Sequence, residues 1–274
     1  MQLNNKQMYT TVKKLAFGLF LVLLLVACKK DKAVVPASAD QDYGNVELVF
    51  MPVAGSEDLL MDTLYTSGAG EQFRLTKLKF FVSDIGLASG NSSEEPGKDN
   101  SGNSIFLVDF TSLPNSEKLQ FNVKPGNYKG LRFNIGLPRE VNHADPTIAQ
   151  SPLNLAQTDM YWSWNTGYIF FLAEGNGSDV YANKFHLAIG DDKRIMPFSF
   201  GNVLSSQTPF IIEKGKTTRI VLKFDFQKLL VNGDGSYYSL ASQASSNVHG
   251  GYYADILRAN ISNTLELVSS DVIE

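Results

Sequence analysis

The sequence predicts an all-β protein: a single β-sandwich or Greek-key-like domain with a short helix near the C-terminus. Apolar residues alternate with polar ones over many short stretches. Turn residues separate these stretches, and no long helical pattern competes with them before the C-terminal region.

The clearest alternation is in 118–124, where Leu119, Phe121 and Val123 interleave with Lys118, Gln120, Asn122 and Lys124. It recurs in 129–135 with Leu131, Phe133 and Ile135. Pro125-Gly126-Asn127 lies between them as a turn, so the pair reads as a hairpin with one face in the core. In 217–226, Thr218, Ile220, Leu222, Phe224 and Phe226 share one face. On a helix that spacing would scatter apolar groups around the axis. Further strand candidates are 45–53, 73–88, 104–110, 167–174, 180–189 and 194–200. Ser89 to Ser104 is rich in Gly, Ser, Asn and Glu and reads as an exposed loop. Tyr252 to Leu267 carries Ile256, Leu257, Ile261 and Leu265 and reads as the helix.

Residues 1–27 read as a signal peptide outside the fold. Lys6, Lys13 and Lys14 precede an apolar run from Leu15 to Ala27 that is too short to span a bilayer comfortably. Leu25-Val26-Ala27-Cys28 resembles the lipobox of bacterial lipoproteins, in which the cysteine becomes the acylated N-terminus. Cys28 is the chain's single cysteine, which excludes an intramolecular disulfide. Residues 28–43 then form a lipidated cysteine and flexible tether, and 44–274 the domain. Cys28-Lys29-Lys30-Asp31-Lys32 looks like the start of many Bacteroidetes outer-membrane lipoproteins. The resemblance implies a lipid-anchored protein of the cell envelope, at the outer membrane, on either the periplasmic or the surface face.

Loss of the three leader lysines takes the formal charge from −4 to −7, which argues against nucleic acid as a partner. The chain has no G-x-S-x-G elbow, P-loop or dinucleotide fingerprint, and its only cysteine is the anchor. The expectation is therefore a protein that is not an enzyme. A glycosidase, whose two carboxylates need not be close in sequence, finds no positive support.

Of the three histidines, His143 lies in a long segment between Pro138 and Tyr161 that carries Pro146 and Pro152. Loops of that length in a compact domain are usually functional or disordered. The segment ends in Met160-Tyr161-Trp162-Ser163-Trp164, which holds both tryptophans and, as a strand, would place them on one face. Two such indoles also serve as core anchors. His186 alternates with Phe185 and Leu187 and so points away from the core they fill. His249 is the third.

Several segments in order carry a resemblance. They are Asn142-His143-Ala144-Asp145-Pro146, Ser151-Pro152-Leu153-Asn154-Leu155, Met160 through Tyr168, Glu174-Gly175, and Phe185-His186-Leu187 with Gly190. Ser83, Ile85 and Leu87 in an early strand, and His249-Gly250-Gly251 through Asn260, extend the series over most of 44–267. The series resembles the MbnP-like domain family, named for a periplasmic protein of methanobactin operons and common among Bacteroidetes lipoproteins. The resemblance implies a β-rich copper-binding fold. It also implies that a di-haem peroxidase-like partner oxidises a tryptophan to kynurenine, which helps histidine bind the metal. On this chain Trp162 and Trp164 are the candidates for oxidation, Trp164 being favoured. His143 and His186 are the candidate ligands, and His249 is a third. The four-cysteine pattern of methanobactin-associated members is absent.

Imidazole suits copper, zinc and nickel alike. Two imidazoles with one further donor and no thiolate suit Cu(I). Asp145, Asp159 and Glu174 are candidate carboxylates behind the ligands. The expected function is copper acquisition or handling. The alternative is a structural or interaction module of the envelope, with a protein or glycan partner and no metal.

Overall fold

Period-two alternation becomes two-layer packing in the computed structural model, which describes residues 42–89, 94–115, 117–156, 158–162, 167–177, 184–201 and 210–273. The signal peptide, Cys28, most of the tether and Trp164 lie outside the described residues.

The strands in chain order are β1 (Gly44–Ala54), β2 (Glu57–Asp58), β3 (Tyr65–Thr66), β4 (Gln72–Ala88), β5 (Glu94–Pro96), β6 (Phe106–Asp109), β7 (Lys118–Val123) and β8 (Gly126–Tyr128). They continue with β9 (Gly130–Ile135), β10 (Phe171–Asn176), β11 (Phe185–Ile189), β12 (Met196–Phe200), β13 (Phe210–Ile212), β14 (Thr217–Asp225), β15 (Asn247–Val248) and β16 (Leu265–Ile273). Among the described residues the α-helices are α1 (Arg139–Asn142), α2 (Phe226–Leu229) and α3 (Gly251–Ile261).

One sheet runs β16-β14-β1, with β7 and β2 following one another along the other edge of β1. The second runs β12-β9-β4-β10-β11-β15, with β3, β5 and β6 also against β4. β8 and β13 form a small third pair. Most neighbours are antiparallel, but β1 pairs with β14 in parallel over nine residue pairs. Parallel neighbours need a crossover. Here most of the second sheet is built from the chain between them, and β15 follows β14.

The two sheets face each other across phenylalanines. Phe50 of β1 meets Phe80 of β4 at 5.3 Å between ring centroids and Phe133 of β9 at 5.9 Å. Phe224 of β14 meets Phe80 at 5.7 Å and Phe171 of β10 at 6.3 Å. All five rings are buried. The predicted all-β sandwich class holds, and so does the inward face of β14, where Thr218, Ile220, Leu222 and Phe224 are buried.

Four local expectations are corrected. The predicted hairpin of 118–124 and 129–135 does not form: β7 pairs with β1 in one sheet, whereas β9 pairs with β4 and β12 in the other. Alternation fixes which face a strand buries and is silent on its partner. Both strands bury a face in the shared core, so the chain around Pro125 crosses between layers. The C-terminal helix ends at Ile261, and Leu265 opens β16, which pairs with β14. Phe226 lies in α2, because the Asp225 carboxylate accepts the Gln227 amide at the end of β14 and starts a helical turn. Within the expected Ser89–Ser104 loop, β5 pairs with β4.

Candidate functional site

Two places carry the predicted residues, one at each end of β11. At its start, His186 faces away from Phe185 and Leu187, which are buried. Its register partner on β10 is Glu174, and on β15 it is Asn247. The His186 amide donates to the Ser246 carbonyl at 2.7 Å, so the last segment before α3 docks in parallel beside β11. That docking delivers His249, two residues beyond Asn247, to His186. The two rings stand 4.8 Å apart between centroids at an interplanar angle of 42°.

The Glu174 carboxylate approaches the other side of His186, with Oε1 2.8 Å from Nδ1. A carboxylate only accepts, so His186 donates from Nδ1, and in its neutral form the lone pair lies on Nε2. Partial desolvation, and then the neighbouring His186, push the His249 pKa below its ordinary value and favour its neutral ring.

Behind Glu174 the outer face carries a chain of charges. Lys77 of β4, the register partner of Glu174, lies 3.2 Å from its Oε2 and 3.1 Å from Asp159. Lys79 lies 3.1 Å from Asp159 and 3.2 Å from Asp109. Desolvation opposes the Lys77 ammonium, but hydrogen bonds to Asp159 and Glu174 raise its pKa overall. Desolvation likewise raises Asp159, and the Lys79 and Lys77 hydrogen bonds outweigh it, so its carboxyl titrates below the usual range.

The second place lies past the end of β11. His143 follows α1 and sets Nε2 3.0 Å from both oxygens of Asp192. Asn142, which is buried, donates Nδ2 to Asp192 at 3.0 Å and accepts the Tyr168 amide at 2.9 Å. Burial works against the Asp192 carboxylate, but its bonds to Asn142 and His143 lower its pKa overall. Trp162 is buried here and packs against Gly190. His143, Trp162, Tyr168 and Asp192 line a cavity of about 320 Å³.

His186 and His249 therefore come together, and His143 does not join them. Strand rise alone separates His186 from Ile189 by about 10 Å, and Asp192 lies beyond that. Trp162 stands with His143. Trp164, the favoured oxidation candidate, lies outside the described residues. Of the three candidate carboxylates, Glu174 touches a histidine, Asp159 binds lysines, and Asp145 accepts from Thr147. The sequence offers His249 only as a third candidate, and its neighbour in the fold, His186, is 63 residues away. The Glu174-Gly175 and Phe185-His186 segments were legible, but their register was not.

Two imidazoles sharing one ion, with metal–nitrogen bonds of about 2 Å, bring their centroids to roughly 4.5–6.5 Å. The observed 4.8 Å fits, as does the carboxylate on the distal nitrogen of His186. Among the described residues no group of three or more His, Cys, Asp or Glu is placed to hold a metal. The fit is thus to a two-nitrogen platform.

No curated protein matches the chain. Among solved structures it is similar to MbnP from Methylosinus trichosporium, at 16% identity and a TM-score of 0.49, covering 69% of this chain and 77% of that one. The MbnP family model matches residues 43–249, and the chain belongs to that family.

Proposed function

We propose that this protein is a lipid-anchored copper-binding protein of the bacterial cell envelope, with His186 and His249 as its nitrogen ligands. The observation that carries this reading is the 4.8 Å pairing of the two rings, with Glu174 on the far nitrogen of His186. Family membership supports copper as the metal. Two neutral imidazoles without a thiolate favour Cu(I) over a blue-copper centre.

Kynurenine formed from tryptophan by a di-haem peroxidase-like partner would offer an amine and a ketone as a further donor. Trp164 is the candidate for this. Trp162 packs at Gly190, about 13 Å of strand from His186. The protein's own residues bind and orient: Glu174 sets the His186 tautomer, and partial desolvation favours the neutral form of His249. Catalytic turnover has no part in this reading. The acylated Cys28 would hold the domain at the outer membrane while it acquires or passes on copper.

The test is titration of the full-length protein with Cu(I) against a chromogenic competitor. Uptake of one equivalent, lost in His186→Ala and in His249→Ala and kept in His143→Ala, is the expected result. Equal uptake by the wild type and the His186→Ala/His249→Ala double variant would remove the site. Intact mass of protein from its native envelope tests the tryptophan oxidation separately.

A further inference from the structure

We propose that Lys77 is a positioning residue for His186: it clamps one oxygen of Glu174 so that the other fixes the His186 ring, and it ties that ring to the segment leading into Trp162. The metal-binding consequence rests on the proposed function, whereas the positioning itself does not.

Lys77, Glu174 and His186 occupy successive register positions on β4, β10 and β11. Side chains at matched positions on neighbouring strands share a face, with strands about 4.8 Å apart. The carboxylate between them is divided, with Oε2 at 3.2 Å from the Lys77 ammonium and Oε1 at 2.8 Å from His186 Nδ1. A carboxylate held by one partner turns freely about its last torsion, which is broad and soft. Held by two partners on opposite sides, it presents Oε1 in one direction. The ring that donates to Oε1 then keeps its Nε2 lone pair on the side away from Glu174.

Lys77 also reaches Asp159 at 3.1 Å, and Lys79 holds the same carboxylate from the next position on that face. Asp159 lies three residues before Trp162, in a segment where the Met160 carbonyl accepts the Ile169 amide and the Trp162 amide donates to the Gly167 carbonyl. The clamp therefore spans β11, β10, β4 and the tryptophan-bearing segment. Pairs this exposed contribute little stability singly. What Lys77 supplies is orientation, and its loss should change the ring more than the melting temperature.

The experiment compares full-length wild type, Lys77→Met, Lys77→Arg and Glu174→Gln, first free of metal and then with Cu(I). The ¹⁵N chemical shifts of the His186 ring report its tautomer. The wild type is expected to be almost wholly the Nδ1–H form. Lys77→Met and Glu174→Gln should mix the two tautomers, and Lys77→Arg should restore the wild-type spectrum. Cu(I) affinity should fall about tenfold in Lys77→Met, in line with outer carboxylate partners of metal-binding histidines, and recover in Lys77→Arg. A wild-type tautomer in Lys77→Met overturns the proposal, whatever the copper affinity. A changed tautomer in a protein that takes up no Cu(I) upholds the positioning and overturns the copper reading instead.

Discussion

Tyr168 donates its backbone N–H to the side chain of Asn142, 26 residues earlier, at 2.9 Å, and the same buried side chain donates to Asp192 at 3.0 Å. One amide thus joins the end of α1, the entry to β10 and the turn after β11. Asn142→Ala leaves a buried N–H without its acceptor, a loss of about 1–3 kcal/mol. Urea unfolding should show a lower midpoint with an unchanged slope. An unchanged midpoint would mean that another group satisfies Tyr168.

Gly190 is constrained by its neighbours. A Cβ there would lie 2.4 Å from the Tyr168 carbonyl oxygen and 2.8 Å from the Trp162 ring. Backbone does not yield as a flexible side chain does. Gly190→Ala should therefore cost about 1–3 kcal/mol and shift the tryptophan emission. Gly233→Ala meets nothing within 4 Å and should stay within about 0.5 kcal/mol of wild type. Thermal melts of both variants check the contrast.

Phe80 lies where the sheets meet, with Phe50, Phe110, Phe171 and Phe224 around it at 5.3–6.3 Å. Phe80→Ala should destabilise the domain by about 3–5 kcal/mol. Phe80→Leu should recover more than half of that loss in a denaturant series.

Acid should loosen the outer charge chain at Asp159. Its folded pKa lies below the ordinary 3.8, because Lys79 and Lys77 hold the charged form more than desolvation opposes it. The folded state therefore binds fewer protons than the unfolded state between the two pKa values. The stabilisation is full above the unfolded value and is lost as pH falls through the folded one, below about pH 4. Asp159→Asn should be slightly less stable than wild type at pH 7, by about 1 kcal/mol or less. The difference in melting temperature should close towards pH 3, and a constant difference would count against a charge effect.

The sequence by itself determined the class of the fold and the face that each strand buries. Alternation in β7, β9 and β14 is a local property, because successive side chains on a strand point to opposite sides whatever lies beside them. It also placed His186 outward and Glu174 among the candidate carboxylates. Tertiary structure decided who stands next to whom: β7 and β9 in separate sheets, β16 where a helix was expected to continue, and His143 with Asp192. It also decided the central feature of the candidate site. His186 meets His249 because β15 docks in parallel on β11. Such pairing joins segments far apart in the chain through backbone groups common to nearly all residues, so it leaves little trace in local spacing.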